Sequence, residues 1–262
     1  MINYKSLDEI LRGYIDNEDI EHKKTVDNDK WFASELGMCK RKVIFRRLGL
    51  EPTDEMLYRI RFVGRDGTAG HEWRQEGVKK MGALIASELR LADEGLSYRG
   101  RLDLIVRLND KPVLIDIKTQ RSEAFFRRAK KPADQKIEEF QKMQLSSYVY
   151  FFNKNYSELL QDFGFPVGTK VEESRIYYVD RGGGCREEYI FHFKQDQFDK
   201  VTAELNELNK HWTDKTLPAK TKTSKWLCRF CPYKKICDTK VEGTGKKELK
   251  QLMEIYGNKT KR

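Results

Sequence analysis

A central mixed β-sheet with helices packed around it, in one main domain of α/β or α+β type, is the architecture the sequence predicts. The apolar patterns run helix, strand, hairpin, helix, strand, strand, helix, an order that builds a sheet covered by helices. The best-defined piece is a hairpin from Tyr98 to Lys118, where two β-rich runs flank the polar pair Asn109-Asp110. A chain of 262 residues can bury a substantial core in one large domain, and it contains no internal repeat.

Residues 5–16 have helical apolar spacing through Leu7, Ile10, Leu11 and Tyr14, and the polar stretch 17–30 reads as loop. Ser34 is placed to cap a helix through Cys39, Val43, Ile44 and Leu48, ending at Gly49. Thr53 or Asp54 starts another through Met56, Leu57, Ile60 and Phe62. Gly64, Gly67 and Gly70 then punctuate the chain before a helix with His71, Trp73, Val78 and Met81. A strand follows at 83–91, then the hairpin, then a basic segment at 121–136. Helical spacing returns from Ile137 to Phe152. Strands at 171–180 and 187–193 flank a glycine-rich turn, and a helix from about 195 to 212 closes the main body. The remainder is basic and polar, with a short helix at 246–256. Gly243-Thr-Gly-Lys-Lys247 lacks phosphate-loop spacing.

Charged residues make up 35% of the chain and hydrophobic residues 39%, with a net charge of +10. Such a balance favours a polyanionic partner, though a basic surface without a dedicated ligand has the same composition. No apolar run approaches the ~20 residues that span a bilayer. The first residues, Met-Ile-Asn-Tyr-Lys-Ser-Leu-Asp-Glu, are too polar for a secretory signal, so a cytoplasmic location is expected.

The hairpin carries the chemistry. If Asn109 and Asp110 form the loop, Leu108 faces Lys111 and the register sets Asp103 opposite Asp116. Cβ atoms of opposed residues lie about 5 Å apart, so the two carboxylates need a cation. Alternation puts Asp116 and Lys118 on one face with Leu114, and Val113, Ile115 and Ile117 on the other. Charges in so apolar a strand read as a divalent-metal site, or else as an Asp–Lys ion pair on a solvated face. His71 joins the metal reading only if the fold brings it to these acids; alone it is a helix-start or core histidine. Gln144 and Tyr148 share a helix face at i and i+4, either as packing residues or reaching across to the lysine.

Cys228-x-x-Cys231-x-x-x-x-x-Cys237 forms a tight cluster that lacks a fourth ligand, for which Cys39 suits better than Cys185 in its glycine-rich turn. An odd cysteine count points to metal rather than disulfides. The spacing favours an iron–sulfur cluster over zinc, with unbound thiols as the remaining reading.

Taken in order, a cysteine, the turn before His71, Gly100-Arg-Leu-Asp103, Asp116-Ile-Lys118, Gln144-x-x-x-Tyr148 and the cysteine triplet resemble the RecB-type branch of the PD-(D/E)XK nucleases. The set is similar to that of the iron–sulfur exonucleases related to AddB and to the CRISPR-associated Cas-four family, over about residues 30 to 240. The resemblance implies a nuclease domain over 1–240, with a core at about 60–212 and an iron–sulfur lobe from about 30–50 and 220–240. A basic tail at 241–262 would follow. It further implies that His71, Asp103, Asp116 and the Ile117 carbonyl bind Mn²⁺ or Mg²⁺, and that Lys118 orients or activates water. Gln144 and Tyr148 would support that lysine, and Cys39, Cys228, Cys231 and Cys237 would hold a structural [4Fe–4S] cluster.

The chain departs from the pattern in having Asp116 where many relatives have Glu, a carboxylate one methylene shorter. The implied activity is metal-dependent DNA hydrolysis, foremost a single-strand exonuclease working 5′ to 3′ in recombination, replication or repair, as in a phage or a bacterium. CRISPR spacer acquisition with integrase partners is the alternative, and a non-catalytic DNA-binding module a second. No helicase motif is present, so unwinding would fall to a helicase or recombinase partner. The DNA path is expected along the basic segments 40–47 and 127–131, with Arg41, Arg46, Arg101, Arg127, Arg128 and Lys130 as contacts. Phe126 would stack on unpaired bases unless it belongs to the core.

Overall fold

Asn109 and Asp110 both adopt left-handed backbone angles, with φ of 48° and 56°. Two consecutive residues of this kind make the tight turn whose twist matches a right-handed hairpin. The turn sets the register on either side of it. Strand β3 (Tyr98–Leu108) and strand β4 (Lys111–Gln120) pair antiparallel, with Leu108 opposite Lys111 and Leu104 opposite Ile115. Asp103 and Asp116 are the next positions along, in the register expected from the sequence.

The computed structural model describes residues 29–53, 70–182, 184–220, 228–229 and 231–257. The helices expected at 5–16 and 54–62 lie outside them. The sheet has six strands. Strand β1 (Trp31–Phe32) runs parallel to the start of β3, and β2 (Leu84–Asp93) pairs antiparallel with β3. Beyond β4 come β5 (Glu173–Asp180), parallel to β4, and β6 (Arg186–His192), antiparallel to β5. The sheet is therefore mixed and flanked by helices, as expected. Neighbouring strands β4 and β5 run parallel because the chain between them crosses over through helices instead of turning back.

Alternation along the strands gives the sheet two apolar faces. Ile105, Leu114, Ile176 and Tyr178 belong to the main core, while Leu104, Val106, Val113, Ile117 and Val179 form a smaller cluster on the other face. Helix α4 (Glu139–Asn155) is packed into the main core and buries Met143 to Val149 without a break. A helix buried nearly all round belongs inside the domain, and here it presents Gln144 and Tyr148 towards the sheet. Helix α2 (residues 70–80) brings Val78 to the smaller cluster.

The N-terminal helix starts later than Ser34 implies. A short 3-10 turn spans Ala33–Glu35, and helix α1 runs Lys40–Arg47 with Cys39 at its N-cap. Gly37 separates the two because its φ of 71° is left-handed, a conformation that glycine adopts without strain. In the basic segment 121–136, helix α3 (Ser122–Ala129) follows β4 directly and a 3-10 turn spans Ala133–Gln135.

The C-terminal elements are α5 (Gln195–Thr213), the short α6 (Lys234–Asp238) and α7 (Gly245–Tyr256). The stretch expected as a basic tail is thus folded in as far as α7. Leu249 and Leu252 join the main core, and Glu248 meets Arg41 of α1 in a buried two-point ion pair at 3.1 and 2.6 Å. The Arg47 guanidinium lies 3.9 Å from the Trp31 ring centre and 4.5 Å from that of Trp212, linking α1 to α5. Two ends of the chain are joined by these contacts. Glu248→Ala should lower stability by about 3–5 kcal/mol, because it leaves the Arg41 charge buried and unpaired. Replacing both partners with apolar residues of similar volume should recover most of that loss. Urea unfolding midpoints of the single and double variants measure both effects.

Candidate active site

Asp103 sits where the β3 ladder opens. On one edge β4 pairs with Leu104–Leu108 and β1 with Tyr98–Arg99, leaving Gly100–Asp103 between them. The Asp103 carboxylate uses that opening to accept the Ile117 N–H at 2.7 Å, a donor that a regular ladder would give to a backbone carbonyl. On the other edge, the pairs Ser87–Leu104 and Leu89–Leu102 bracket Glu88 and set it across from Asp103. Leu102 and Leu104, two residues apart, fall in different apolar clusters, so strand alternation is broken at Asp103.

On β4, Asp116 is 2% exposed. Its Oδ1 and Oδ2 stand 3.1 and 2.9 Å from the Lys118 Nζ. The ammonium also donates to Gln144 Oε1 at 3.2 Å, and Gln144 Nε2 donates to the Tyr148 hydroxyl at 2.8 Å. From α2, the His71 Nδ1 reaches 3.7 Å from Asp103 Oδ2. The sequence-predicted residues His71, Asp103, Asp116, Lys118, Gln144 and Tyr148 thus meet in one place, and Ile117 joins them through its backbone. Gly100 makes room for the last of them. A Cβ on Gly100 would lie 2.5 Å from the Tyr98 hydroxyl and 2.9 Å from a Tyr148 ring carbon.

Burial raises the Asp103 carboxyl above its usual range, and the Asp116 charge adds to the rise. Burial alone would favour neutral Lys118, but Asp116 and Asp103 outweigh it and hold the ammonium more firmly charged than in water. Burial also lowers the His71 imidazole, keeping it neutral and free to act as a ligand. Burial and the neighbouring Asp116 push Tyr148 well up, so it stays a neutral phenol.

His71, Glu88 and Asp103 each offer one ligand atom, all within 4.8 Å of one another. A neutral imidazole beside carboxylates suits a first-row divalent ion such as Mn²⁺, and acids opposed across strands are repulsive without a cation. These residues fit a divalent ion. Glu88 was not singled out from the sequence. The left-handed backbone that aims it at Asp103 leaves no mark in the spacing along β2.

A profile of the PD-(D/E)XK nuclease superfamily matches residues 7–238, which include every one of these positions. The chain belongs to the PD-(D/E)XK nuclease superfamily. Members of this superfamily use divalent metals. The crystal structure of SSO0001 is similar in fold, with a TM-score of 0.55 and 19% identity over 90% of this chain and 98% of that one. More distant likenesses are an alkaline exonuclease from Laribacter hongkongensis (TM-score 0.47, 13% identity, 71% and 89% covered) and a phage-related exonuclease from Haemophilus somnus (0.39, 12%, 65% and 77%). Among proteins of curated function, none matches the chain.

The expected DNA contacts divide. Phe126 is 49% exposed on α3, whereas Phe125 is core. Arg127 and Lys130 are exposed, and Arg101 is exposed while pairing with Glu88 at 2.8 Å. Arg41 and Arg128, expected on the DNA path, are instead buried. Arg41 is buried against Glu248 and the Pro218 carbonyl. Arg46 pairs with Glu35 and lies over Phe32. Arg128 is buried, binding Gln120 and stacking on Tyr178. A run of cations on one short helix has to send some side chains inward, and the guanidinium can satisfy itself there by forked hydrogen bonds.

The cysteines are free thiols brought from both ends of the chain. Burial raises the Cys231 thiol, opposed by the Tyr233 N–H and Lys42, while nearby Cys39 and Cys237 push it further up. Among the described residues, however, the compact ligand set is His71, Glu88 and Asp103, and Cys228 is exposed.

Gly100→Ala should drive the Tyr98 and Tyr148 rings apart and destabilise the fold by about 1–3 kcal/mol. The thermal midpoint reports the loss, and a rise in Tyr148 mobility by NMR would locate it.

Proposed function

We propose that the protein is a divalent-metal-dependent deoxyribonuclease, acting as an exonuclease on single-stranded DNA, 5′ to 3′ by family likeness. The observation that carries the reading is the convergence of two sets of contacts on neighbouring strands: His71 with Asp103, and Asp116 with Lys118, Gln144 and Tyr148. Binding alone needs no clustered acids beside phosphate, so a non-catalytic module would leave them unexplained.

His71, Asp103, Asp116 and the Ile117 carbonyl would hold Mn²⁺ or Mg²⁺, which supplies an acidified water and neutralises charge building on the phosphate. Lys118, kept charged by the acids, is a poor base; its task is to donate to the attacked phosphate and stabilise the negative charge that develops there. Gln144 fixes the ammonium by accepting one of its protons, and Tyr148 holds the Gln144 amide in that orientation. The histidine makes Mn²⁺ at least as effective as Mg²⁺, since Mg²⁺ prefers oxygen-only surroundings.

Helix α3 starts two residues after β4 and would guide the strand past the site, with Arg127 and Lys130 on phosphates and Phe126 stacked on a base. Cys39, Cys228, Cys231 and Cys237 would bind a [4Fe–4S] cluster of structural role. The setting would be DNA recombination, replication or repair in the cytoplasm, with a helicase, recombinase or integrase as partner. Among the described residues, no helix is long and apolar enough to cross a membrane.

Asp116→Ala and Lys118→Ala should each lower cleavage of end-labelled single strands with Mn²⁺ by at least about a hundredfold; wild-type rates in either would remove the assignment. Phe126→Ala should weaken single-strand binding about tenfold and duplex binding little, measured by fluorescence anisotropy. Protein purified without oxygen should be brown and lose its visible absorbance on oxidation; a colourless protein with bound zinc would replace the cluster by a zinc site.

A further inference from the structure

We propose that Glu88 is a further ligand of the catalytic divalent ion, beside His71 and Asp103. The inference rests on the nuclease reading given above. The Glu88 carboxylate lies with His71 and Asp103 in a set of ligand atoms within 4.8 Å of one another. Asp116, a methylene shorter than glutamate, stands outside that compact set: its Oδ1 accepts from Lys118, and its buried Oδ2 makes no hydrogen bond. Glu88 adds a carboxylate from the opposite side of Asp103, off β2.

The backbone at Glu88 is consistent with this assignment. Its φ is 51°, left-handed for a residue with a Cβ and in the middle of a strand whose neighbours Ser87 and Leu89 keep regular pairs. Such a local kink re-aims a side chain and is a recurrent feature beside active sites. Glutamate has no preference for this conformation, so the sheet around it has to impose it.

Two further side chains orient the carboxylate. Gln75 Nε2 donates to Glu88 Oε1 at 2.6 Å, and Gln75 stands one helical turn from His71, on the same face of α2. Arg101 Nε lies 2.8 Å from Oε2. Hydrogen-bonded support of this kind is usual for carboxylates that bind metal. The other possible duty of Glu88 is to anchor Arg101 for DNA, and that duty predicts a different response to mutation.

The test is a titration of the anaerobically purified full-length protein with Mn²⁺, following free Mn²⁺ by electron paramagnetic resonance. Glu88→Gln, which keeps the hydrogen bonding but not the charge, should weaken Mn²⁺ binding by at least about tenfold. Glu88→Asp, which keeps the charge but draws it back, should also weaken it. Asp116→Glu placed in the Glu88→Gln background should restore most of the affinity by returning a long acid to β4. Arg101→Ala should leave affinity unchanged or tighten it. Wild-type affinity in Glu88→Gln would overturn the proposal while leaving the nuclease reading intact. An equal loss in Arg101→Ala would overturn it too, showing that Glu88 acts through Arg101. Failure of the wild-type protein to bind Mn²⁺ would instead sink the metal-dependent reading itself.

Discussion

Carboxylates crowded around one buried position are the constraint on which the site depends. Asp103 has Asp116 on the strand to one side and Glu88 on the strand to the other, and burial raises its own proton affinity. Charges of one sign at cross-strand spacing repel, and burial strengthens the repulsion. The sheet tolerates them because Lys118 offsets Asp116, Arg101 offsets Glu88, and the Ile117 N–H supports Asp103. A divalent ion would add a still stronger attraction at the same point. The site is therefore a concentration of like charge that a bound metal would relieve.

That arrangement requires the ladder to open. Had β4 continued pairing beyond Leu104, the Ile117 N–H would meet backbone and Asp103 would have no fixed orientation. Instead β1 takes over the edge of β3 at Tyr98, Gly100 leaves space for the Tyr148 ring, and the freed donor turns to a carboxylate. Helix α4 explains the other half. Gln144 and Tyr148 are buried like core residues, yet their polar ends form one chain to Lys118. The packing and functional readings of that pair describe the same geometry, since a buried polar group has to find a partner.

The two ends of the chain meet at α1. A structural cluster held by Cys39 and the C-terminal cysteines would pin these two segments together. Ordinary forces already do much of this, through the Arg41–Glu248 ion pair, the Arg47 guanidinium between two tryptophans, and Leu249 and Leu252 in the core. The same contacts withdraw Arg41 from any DNA path. Charge read along a helix counts cations but does not say which way each one points.

The hairpin register was decided by local sequence alone. Two residues able to adopt left-handed angles, flanked by alternating strands, leave one way to pair, and so the Asp103–Asp116 juxtaposition was legible from spacing. The order of helices and strands was legible for the same reason: the period of the apolar residues is a local property. Tertiary structure decided what depends on non-local contact. It brought His71 to Asp103, aimed Glu88 of β2 at them, turned Arg41 and Arg128 inward, and packed Leu249 and Leu252 of the expected C-terminal helix into the core. Each of these is set by where a side chain finds a partner distant in sequence, and spacing along one strand or helix carries no record of that.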